Sequence, residues 1–346
     1  MLREIVPVKA PKTTLLSTDL RELKDTKTFY RAACNEGLPV SNYLQPWWLD
    51  VVCGGENNWD VCLCTKSDDT IEGVLVYFKT KLKGLVSAII MPPLTPNCGV
   101  YFYIQDAEKL KRHSLLTAKK RILDTLISQL PSVRIYAQNF HHTLTDWQPF
   151  FWKDFKSTVH YTYFLENIFD KNNIFNNFKG SVRTAIGKAQ KNIEIHECEE
   201  TEVFYALCEK SFIRNSEKIP LTLSLFEKLD AQLAIRFKRR MYVAYDKNGH
   251  NHAAIYIVYD VDSAHYLLGG SDPELRNSGA VPLVLWHAIQ EAGKAGKSVF
   301  DFEGSMIENV EFAFRNFGAQ QKPFFRITKT KTNFMEALSQ FFPNYR

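Results

Sequence analysis

The sequence predicts a mixed α/β protein in which one fold is used twice in tandem, and three observations lead to this prediction. The chain has 346 residues, which fits two domains, since domains commonly hold about 100–200 residues. Its C-terminal half alternates short apolar runs with amphipathic helical patterns. Its N-terminal half has a similar order of predicted elements: helices, a three-strand meander, a long helix and a strand.

In the N-terminal half, periodicity and turn residues predict the regular elements. Apolar alternation predicts strands at residues 59–65, 71–80, 85–90 and 133–138. An amphipathic period predicts a long helix at residues 108–130. Three prolines make residues 91–99 a rigid loop, because proline cannot donate to a sheet ladder.

In the C-terminal half, the same criteria predict helices and strands in the order β-α-α-β-β-β-α-β-α-β after an opening helix. The helices are predicted at residues 182–191, 202–214, 223–240, 281–292 and 310–317, and the strands at 193–198, 241–245, 252–259, 264–268, 298–302 and 323–328.

The predicted domain boundaries follow a change of composition in the middle of the chain. Residues 166–180 are rich in Asn and Asp and have no clean period, which is typical of a linker. We therefore assign residues 1–165 to an N-terminal domain, residues 181–330 to a C-terminal domain and residues 331–346 to a tail.

Charge and cysteine content exclude some classes of partner. A net charge of +5 at pH 7 is modest, so we expect no DNA partner, although anionic cofactors would be favoured. The seven cysteines lack the paired C-x-x-C spacing of zinc sites, which predicts reduced thiols and no metal. The first 20 residues have no apolar signal region and no apolar run is long enough to span a bilayer, so we expect a cytoplasmic protein without a transmembrane segment.

The most informative stretch of the sequence is a strand followed by a basic, glycine-containing turn and a helix. Backbone N–H groups at a helix N-terminus attract phosphate, and glycine lets a ligand approach closely. The stretch therefore predicts a donor-binding site, with candidates Leu268, Gly269, Gly270, Arg276, Asn277, Ser278, Gly279 and Ala280. Backbone N–H groups at residues 268–270 would hold a carbonyl oxygen in a splayed strand. An ordinary strand-to-helix turn is the alternative interpretation.

Two acidic residues at the end of the next strand are candidate catalytic groups. Asp301 and Glu303 alternate with aromatic residues, which places both on one face of the strand. A carboxylate shielded from water can take a proton from an attacking ammonium group, and Glu303 is the first candidate. Capping of the following turn is the alternative role. Tyr266, on the preceding strand, could protonate a leaving group, or it could be a core tyrosine.

Basic side chains provide candidates for substrate binding. Arg183 and Lys188 lie on the predicted helix 182–191 and could contact the phosphate of a substrate. A solvated helix face is the alternative. The basic run at residues 236–240 could likewise touch RNA or anionic lipid, or could be plain surface.

Taken together, these motifs resemble the GNAT acyltransferase fold, and more closely its Fem-type branch, in which two GNAT-like domains occur in tandem. The resemblance covers about residues 170–328 and rests on residues 181–191, 268–279, 300–305 and 314–320. GNAT enzymes hold the donor pyrophosphate on a loop of the form Q/R-x-x-G-x-G/A. Arg276 and Gly279 match this form, whereas its sixth position is Val281 and Ala280 comes one place earlier.

The resemblance implies N-acyl or aminoacyl transfer to a primary amine by direct attack. Acyl-CoA, as in ordinary GNAT enzymes, would then be a co-substrate rather than a tightly bound cofactor. The acceptor would be a small-molecule amine or one linked to a sugar or a peptidoglycan precursor. Two alternatives stay open: peptidyl transfer from aminoacyl-tRNA to a cell-wall precursor, as in Fem-type enzymes, and a catalytically inactive GNAT-like binding module.

Overall fold

The chain divides into two structural units that do not coincide with the two halves of the sequence. The computed structural model describes residues 25–214, 219, 221–304 and 306–331. Unit 1 comprises Met1–Val159 and Phe324–Arg346, and unit 2 comprises His160–Pro323. The first unit therefore receives its last strand from the end of the chain.

Unit 1 is a mixed sheet flanked by helices. Its strands are β1 (Trp59–Thr65), β2 (Ile71–Leu82), β3 (Val86–Ile90), β4 (Tyr101–Phe102), β5 (Ile135–Asn139) and the larger part of β12 (Gln320–Thr330). Its helices are α1 (Thr26–Asn35), α2 (Pro46–Val52), α3 (Arg112–Ser128) and α4 (Gln148–Phe151). The strand order is β1-β2-β3-β5-β12, with β4 paired to β2. The β3–β5 pair is parallel, and its neighbours are antiparallel.

Unit 2 is a second mixed sheet with the same plan. Its strands are β6 (Lys156–Glu166), β7 (Ile193–Glu197), β8 (Arg239–Asp246), β9 (Asn251–Tyr259), β10 (Ser263–Ser271) and β11 (Val299–Asp301). Its helices are α5 (Lys171–Asn177), α6 (Gly180–Ala189), α7 (Thr201–Arg214), α8 (Leu223–Ala234), α9 (Ala280–Lys294) and α10 (Glu308–Asn316). The strand order is β6-β11-β10-β9-β8-β7, and the parallel pair is β10–β11.

The two units repeat one pattern of pairing. In each, an antiparallel meander is followed by one parallel neighbour and then by one antiparallel strand, which is β12 in unit 1 and β6 in unit 2. The predicted fold class, a mixed α/β fold used twice in tandem, is confirmed. Each half of the sequence contributes its last strand to the sheet of the other unit.

This strand exchange explains where the predicted boundaries differ from the structural units. Strand β6 was not predicted as an element, although it begins before residue 166 and pairs with β11 in the sheet of unit 2. The predicted linker 166–180 contains helix α5, whose Ile174 is buried in the core of unit 2. Composition along the chain cannot reveal this, because pairing partners are distant in sequence. The predicted tail, residues 331–346, lies outside the described residues except for Lys331.

The predicted helix 223–240 is shorter in the structure. Helix α8 ends at Ala234, and Arg239 and Arg240 already belong to β8. Arg239 is only 6 % exposed, so the basic run at residues 236–240 is not simply a solvated surface. Its guanidinium Nε lies 2.9 Å from Asp230 Oδ1, and Tyr256 donates to the same oxygen at 2.8 Å. Arg239 is thus buried because it pairs with Asp230, an acid that lies outside the basic run.

An aromatic cluster on one face of the sheet in unit 2 supports the elements around the predicted site. Phe302 packs against Phe314, with ring centroids 4.9 Å apart, and against Phe317 at 5.7 Å. Phe317 in turn packs on Phe178 at 4.9 Å. These contacts hold α10 over the end of β11, because aromatic pairs at such distances contribute beyond their buried area.

All seven cysteines lie among the described residues, and each is buried with a free thiol. In the described part of the chain, the helices are too short or too polar for any of them to cross a membrane.

The ion pair between Asp230 and Arg239 gives a stability prediction. Asp230→Asn should lower the free energy of unfolding by about 1.5–3 kcal/mol, because it removes the buried one of the two carboxylates that pair with Arg239, the more exposed Glu199 being the other. Asp262→Asn, at an exposed position, is the control and should change stability by no more than about 0.5 kcal/mol. Urea denaturation followed by circular dichroism measures both. Equal midpoints for the two variants would contradict a stabilising role for the pair.

Candidate active site

The sheet of unit 2 opens between β10 and β11. The two strands pair over three positions only, and the last pair joins His265 to Asp301. Strand β11 ends at Asp301, whereas β10 continues to Ser271. One edge of β10 therefore has no β11 partner beyond His265, and a gap in the sheet begins at that pair.

A β-bulge lies where this opening begins. Tyr266 pairs with Ile257 on β9, and the next pair along the ladder joins Leu268 to Tyr256. Leu267 is therefore an extra residue on β10. A bulge bends its strand and increases the local twist, which turns the end of β10 away from the direction of β11.

Beyond the bulge, the ladder aims one backbone N–H group into the opening. Asp272 N donates to His252 O at 2.9 Å, on the β9 side, whereas Ser271 N donates to Ser211 Oγ at 2.7 Å, on the other side. Donors alternate between the two sides of an antiparallel strand. The N–H of Gly269 therefore faces away from β9, as that of Ser271 does, and it is placed to bond a carbonyl oxygen.

Close packing requires both glycines of this strand. A Cβ atom at Gly270 would lie 2.4 Å from Cys208 Cα on α7, and one at Gly269 would lie 2.3 Å from the hydroxyl of Tyr266. Helix α7 thus rests directly on the backbone of β10. The hydroxyl of Tyr266 lies against the strand at the opening.

Asp301 is fully engaged by its neighbours. Its Oδ1 accepts hydrogen bonds from Thr162 Oγ1 at 2.8 Å and from Glu303 N at 2.7 Å. Its Oδ2 lies 3.5 Å from His265 Nδ1. These contacts match the alternative prediction, in which Asp301 caps the turn that follows the strand.

Glu303 lies at the mouth of the opening in a left-handed backbone conformation, with φ 58°. Its side chain is 11 % exposed, and its Oε1 lies 3.6 Å from His265 Nδ1. Because His265 contacts both acids, Asp301 and Glu303 share one face, as the alternation predicts. Gly304 follows with φ 70°, and a Cβ atom there would lie 2.1 Å from Tyr161 O.

His265 is a site residue to which the sequence analysis assigned no role. It is 8 % exposed, and its Nε2 lies 2.7 Å from Ser263 Oγ. Burial lowers the pKa of His265, but the hydrogen bond to Asp301 and the charges of Asp301 and Glu303 outweigh burial and raise the pKa to about 9. The only signal in the sequence is the position of His265 on a strand that would pair with the one carrying Asp301.

Tyr266 projects to the opposite face, as strand alternation requires. Its ring packs edge-on against Phe314, with centroids 6.0 Å apart, so the core interpretation of this tyrosine holds in part. Burial raises the pKa of Tyr266, which keeps the phenol protonated at neutral pH. It remains a candidate proton donor at the opening.

The predicted donor turn forms a short 3-10 turn, Arg276–Ser278, before α9. Gly279 is the N-cap with φ 78°, and no side chain caps the helix. A Cβ atom at Gly279 would lie 2.8 Å from Ala185 O on α6. Asn277 is exposed, and Ser278 Oγ accepts weakly from Ala280 N at 3.3 Å. Arg276 is exposed and makes no ion pair with the described residues.

The two predicted substrate-binding residues on α6 point in different directions. Arg183 and Lys188 are both exposed, and five residues on an α-helix separate side chains by about 140°. Arg183 donates to Asn176 O at 3.4 Å. The helix therefore does not bring the two cations together into one cluster.

Unit 1 lacks the equivalent of this carboxylate pair. Phe140 N donates to Phe325 O as Phe302 N donates to Tyr163 O, both at 2.9 Å. This equivalence places Asn139 at the position of Asp301. By the same spacing, position 141, a histidine, corresponds to Glu303. The loop at residues 91–99 also folds back onto β5, since Cys98 N donates to Asn139 O at 2.9 Å.

Comparison with protein families agrees with this geometry. Residues 176–311 match the family model described as an acetyltransferase (GNAT) domain. The matched residues lie within unit 2. The matched residues include the bulged strand, the donor turn and both carboxylates. No curated protein matches the chain in sequence.

Solved structures extend the likeness to both units of the chain. FemX is similar with a TM-score of 0.60 and 12 % identity, covering 93 % of this chain and 99 % of FemX. L-PGS from Bacillus licheniformis is similar with a TM-score of 0.51 and 9 % identity, covering 82 % of this chain and 88 % of L-PGS. The C-terminal domain of a putative lysylphosphatidylglycerol synthetase from Agrobacterium fabrum is similar with a TM-score of 0.52 and 8 % identity. The likeness covers 89 % of this chain and 93 % of that domain. The predicted tandem fold is thus confirmed, and the chain shares it with FemX.

The crowding at Gly304 gives a prediction with a matched control. Gly304→Ala and Gly296→Ala both place a side chain at positive φ, 70° and 80°, but only Gly304 has atoms within reach of a Cβ. The alanine at position 304 should lower the free energy of unfolding by about 1–3 kcal/mol more than the one at position 296, because it overpacks against β6. Chemical denaturation of the two variants measures the difference. Equal losses would mean that β6 does not press on the Glu303–Gly304 turn.

Proposed function

We propose that unit 2 transfers an acyl or aminoacyl group from a phosphate-bearing donor to a primary amine by direct attack. The observation that carries this proposal is the opening between β10 and β11, which has the N–H of Gly269 on one strand and the carboxylate of Glu303 at the end of the other. The GNAT family match supports group transfer of this general kind.

The donor would bind along β10 and the start of α9. The first-turn N–H groups of α9 carry the positive end of the helix dipole, which favours phosphate. Arg276 adds a guanidinium beside that helix start, and Gly279 lets the chain turn against α6. Acyl-CoA is the donor we favour, because it combines a pyrophosphate for this turn with an acyl carbonyl that can reach the opening.

The reaction would need no covalent intermediate on the protein. The amine nitrogen attacks the carbonyl carbon, and the N–H of Gly269 bonds the oxygen as it gains negative charge. Glu303 accepts the proton that the nitrogen loses, and the carbon–sulfur bond to the donor then breaks. The phenol of Tyr266 would give its proton to the leaving thiolate. Asp301 would hold the turn that presents Glu303.

The acceptor is proposed only as a class, a primary amine on a small molecule or on a sugar-linked or peptidoglycan-linked precursor. Arg183 and Lys188 are exposed cations on α6 and could each contact a phosphate on the acceptor or donor. Aminoacyl-tRNA is the alternative donor, supported by the FemX-like fold. A GNAT-like module without turnover is the other alternative.

A thermal-shift panel of acyl-CoA, UDP-sugars and aminoacyl-tRNA separates these possibilities. A ligand at 100 times its Kd should stabilise the protein by about 2.7 kcal/mol. Salt-sensitive stabilisation by aminoacyl-tRNA alone would favour the tRNA-dependent reaction, because neutralised phosphates release counterions. Binding of a ligand without any product would favour the inactive module.

The donor turn can be tested with one arginine. Arg276→Ala should weaken binding of acyl-CoA by about 1.5–3 kcal/mol, the range for a hydrogen bond to a charged group. Lys294→Ala is the control, because Lys294 lies at the far end of the same helix and pairs with Glu291. Isothermal titration calorimetry measures both variants. An unchanged Kd in Arg276→Ala would remove this turn from the donor site.

The role of Glu303 as proton acceptor can be tested by replacing its carboxylate with an amide. Glu303→Gln keeps the shape of the side chain but cannot accept a proton, so the transfer rate should fall by about 10²–10⁴ while donor affinity is unchanged. Glu308→Gln, at an exposed position on α10, is the control. Steady-state rates at saturating acceptor measure the effect. A rate within threefold of the wild type would assign Glu303 to structure.

A further inference from the structure

We propose that His265 is the positioning residue of this site, a buried imidazolium that bridges Asp301 and Glu303 and fixes the Glu303 carboxylate at the opening of the sheet. The role of His265 in the reaction rests on the proposed function of Glu303. The bridge itself is a property of the free protein and can be tested without any substrate.

The geometry places one ring nitrogen between two carboxylates. His265 Nδ1 lies 3.5 Å from Asp301 Oδ2 and 3.6 Å from Glu303 Oε1. The three side chains are 11 %, 9 % and 11 % exposed in the order His265, Asp301, Glu303. Water therefore screens these charges little, and the positive ring is the group that compensates both acids.

Strand register fixes this arrangement. His265 and Asp301 are direct partners in the parallel β10–β11 pair, and the hydrogen bond from Glu303 N to Asp301 Oδ1 ties the next turn to the same site. Thr162 on β6 holds Asp301 from the other side at 2.8 Å. Strand register and these two hydrogen bonds therefore place both acids beside the imidazole.

The second ring nitrogen bonds a hydroxyl that can donate or accept, so the two carboxylates at Nδ1 are the groups that favour a positive ring. His265 Nε2 lies 2.7 Å from Ser263 Oγ. An imidazolium donates to Ser263 through Nε2 and turns its Nδ1–H toward the two carboxylates, 3.5 and 3.6 Å away. A neutral ring with its proton on Nε2 would aim the Nδ1 lone pair at two negative charges, which is unfavourable in a site of low dielectric. A neutral ring with its proton on Nδ1 would satisfy the hydrogen bonds, with Nε2 accepting from Ser263, but it would leave both carboxylates without a positive charge beside them.

The other groups around the ring act in the same direction. Asp260, in the β9–β10 turn, adds a third negative charge that raises the pKa of His265. The cross-strand partner of His265 on β9 is Val258, which carries no charge. Burial lowers the pKa of His265, but the three acids outweigh burial and raise the pKa to about 9.

This assignment fixes the sign of the pH dependence. The pKa of His265 in the folded protein lies above its ordinary value of 6.5. The stability that protonation of His265 contributes is therefore present in full below about pH 6.5 and is lost as the pH rises through about 9.

Nuclear magnetic resonance of the free protein with ¹⁵N-labelled histidine tests the bridge directly. Both ring nitrogens of His265 should stay protonated at pH 7, with a titration midpoint near 9. Glu303→Gln should lower that midpoint by about one pH unit or more, because it removes one of the two facing charges. His287, a histidine on α9 whose pKa is lowered by burial, is the internal control and should keep its midpoint in Glu303→Gln. A His265 midpoint below pH 7, or one unmoved by Glu303→Gln, overturns the proposal.

The pH–rate profile tests the consequence for transfer. In His265→Gln, the acid limb of the profile should move to higher pH by about one to three units, since two facing carboxylates then lack their cation. His252→Gln should leave the limb in place. A lower rate with an unmoved limb overturns the positioning role. If the His265 midpoint behaves as expected but no donor is ever turned over, the proposed function fails while the bridge stands.

Discussion

The site depends on the early end of one parallel strand pair. Strands β10 and β11 separate after His265 and Asp301, and each feature of the site follows from that separation. The bulge at Leu267 turns β10 and leaves the N–H of Gly269 pointing into the gap. Thr162 and the Asp301 side chain hold the turn that ends β11 and bring Glu303 to the gap from the other strand.

Among the described residues, the carboxylate pair is found in unit 2 and not at the equivalent positions of unit 1. Both sheets contain a parallel pair flanked by an antiparallel strand. In unit 1, however, the acid equivalent to Asp301 is replaced by Asn139, and the proline-rich loop at residues 91–99 folds back onto β5. The chain thus uses one fold twice, and unit 2 is the copy that carries both Asp301 and Glu303.

Much of the fold and part of the site could be predicted from the sequence. The strand at residues 59–65 and the amphipathic helix near α3 were found because periodicity is a local property. Asp301 and Glu303 were placed on one face for the same reason. The exchange of β6 and β12 could not be predicted, because it depends on pairing between distant segments. The burial of Arg239 depends on Asp230 in the same way, and the role of His265 depends on the register of β10 against β11.

The central claim is that the donor's carbonyl group lies at Gly269 in the opening between the strands. Amide shifts in ¹⁵N–¹H spectra test it most directly, with CoA compared against a non-transferable ketone analogue of acyl-CoA. Both ligands should shift the amides at the start of α9, and only the analogue, which carries the carbonyl, should shift the amide of Gly269. Equal shifts of Gly269 with both ligands, or no shift with the analogue at saturation, would contradict the account.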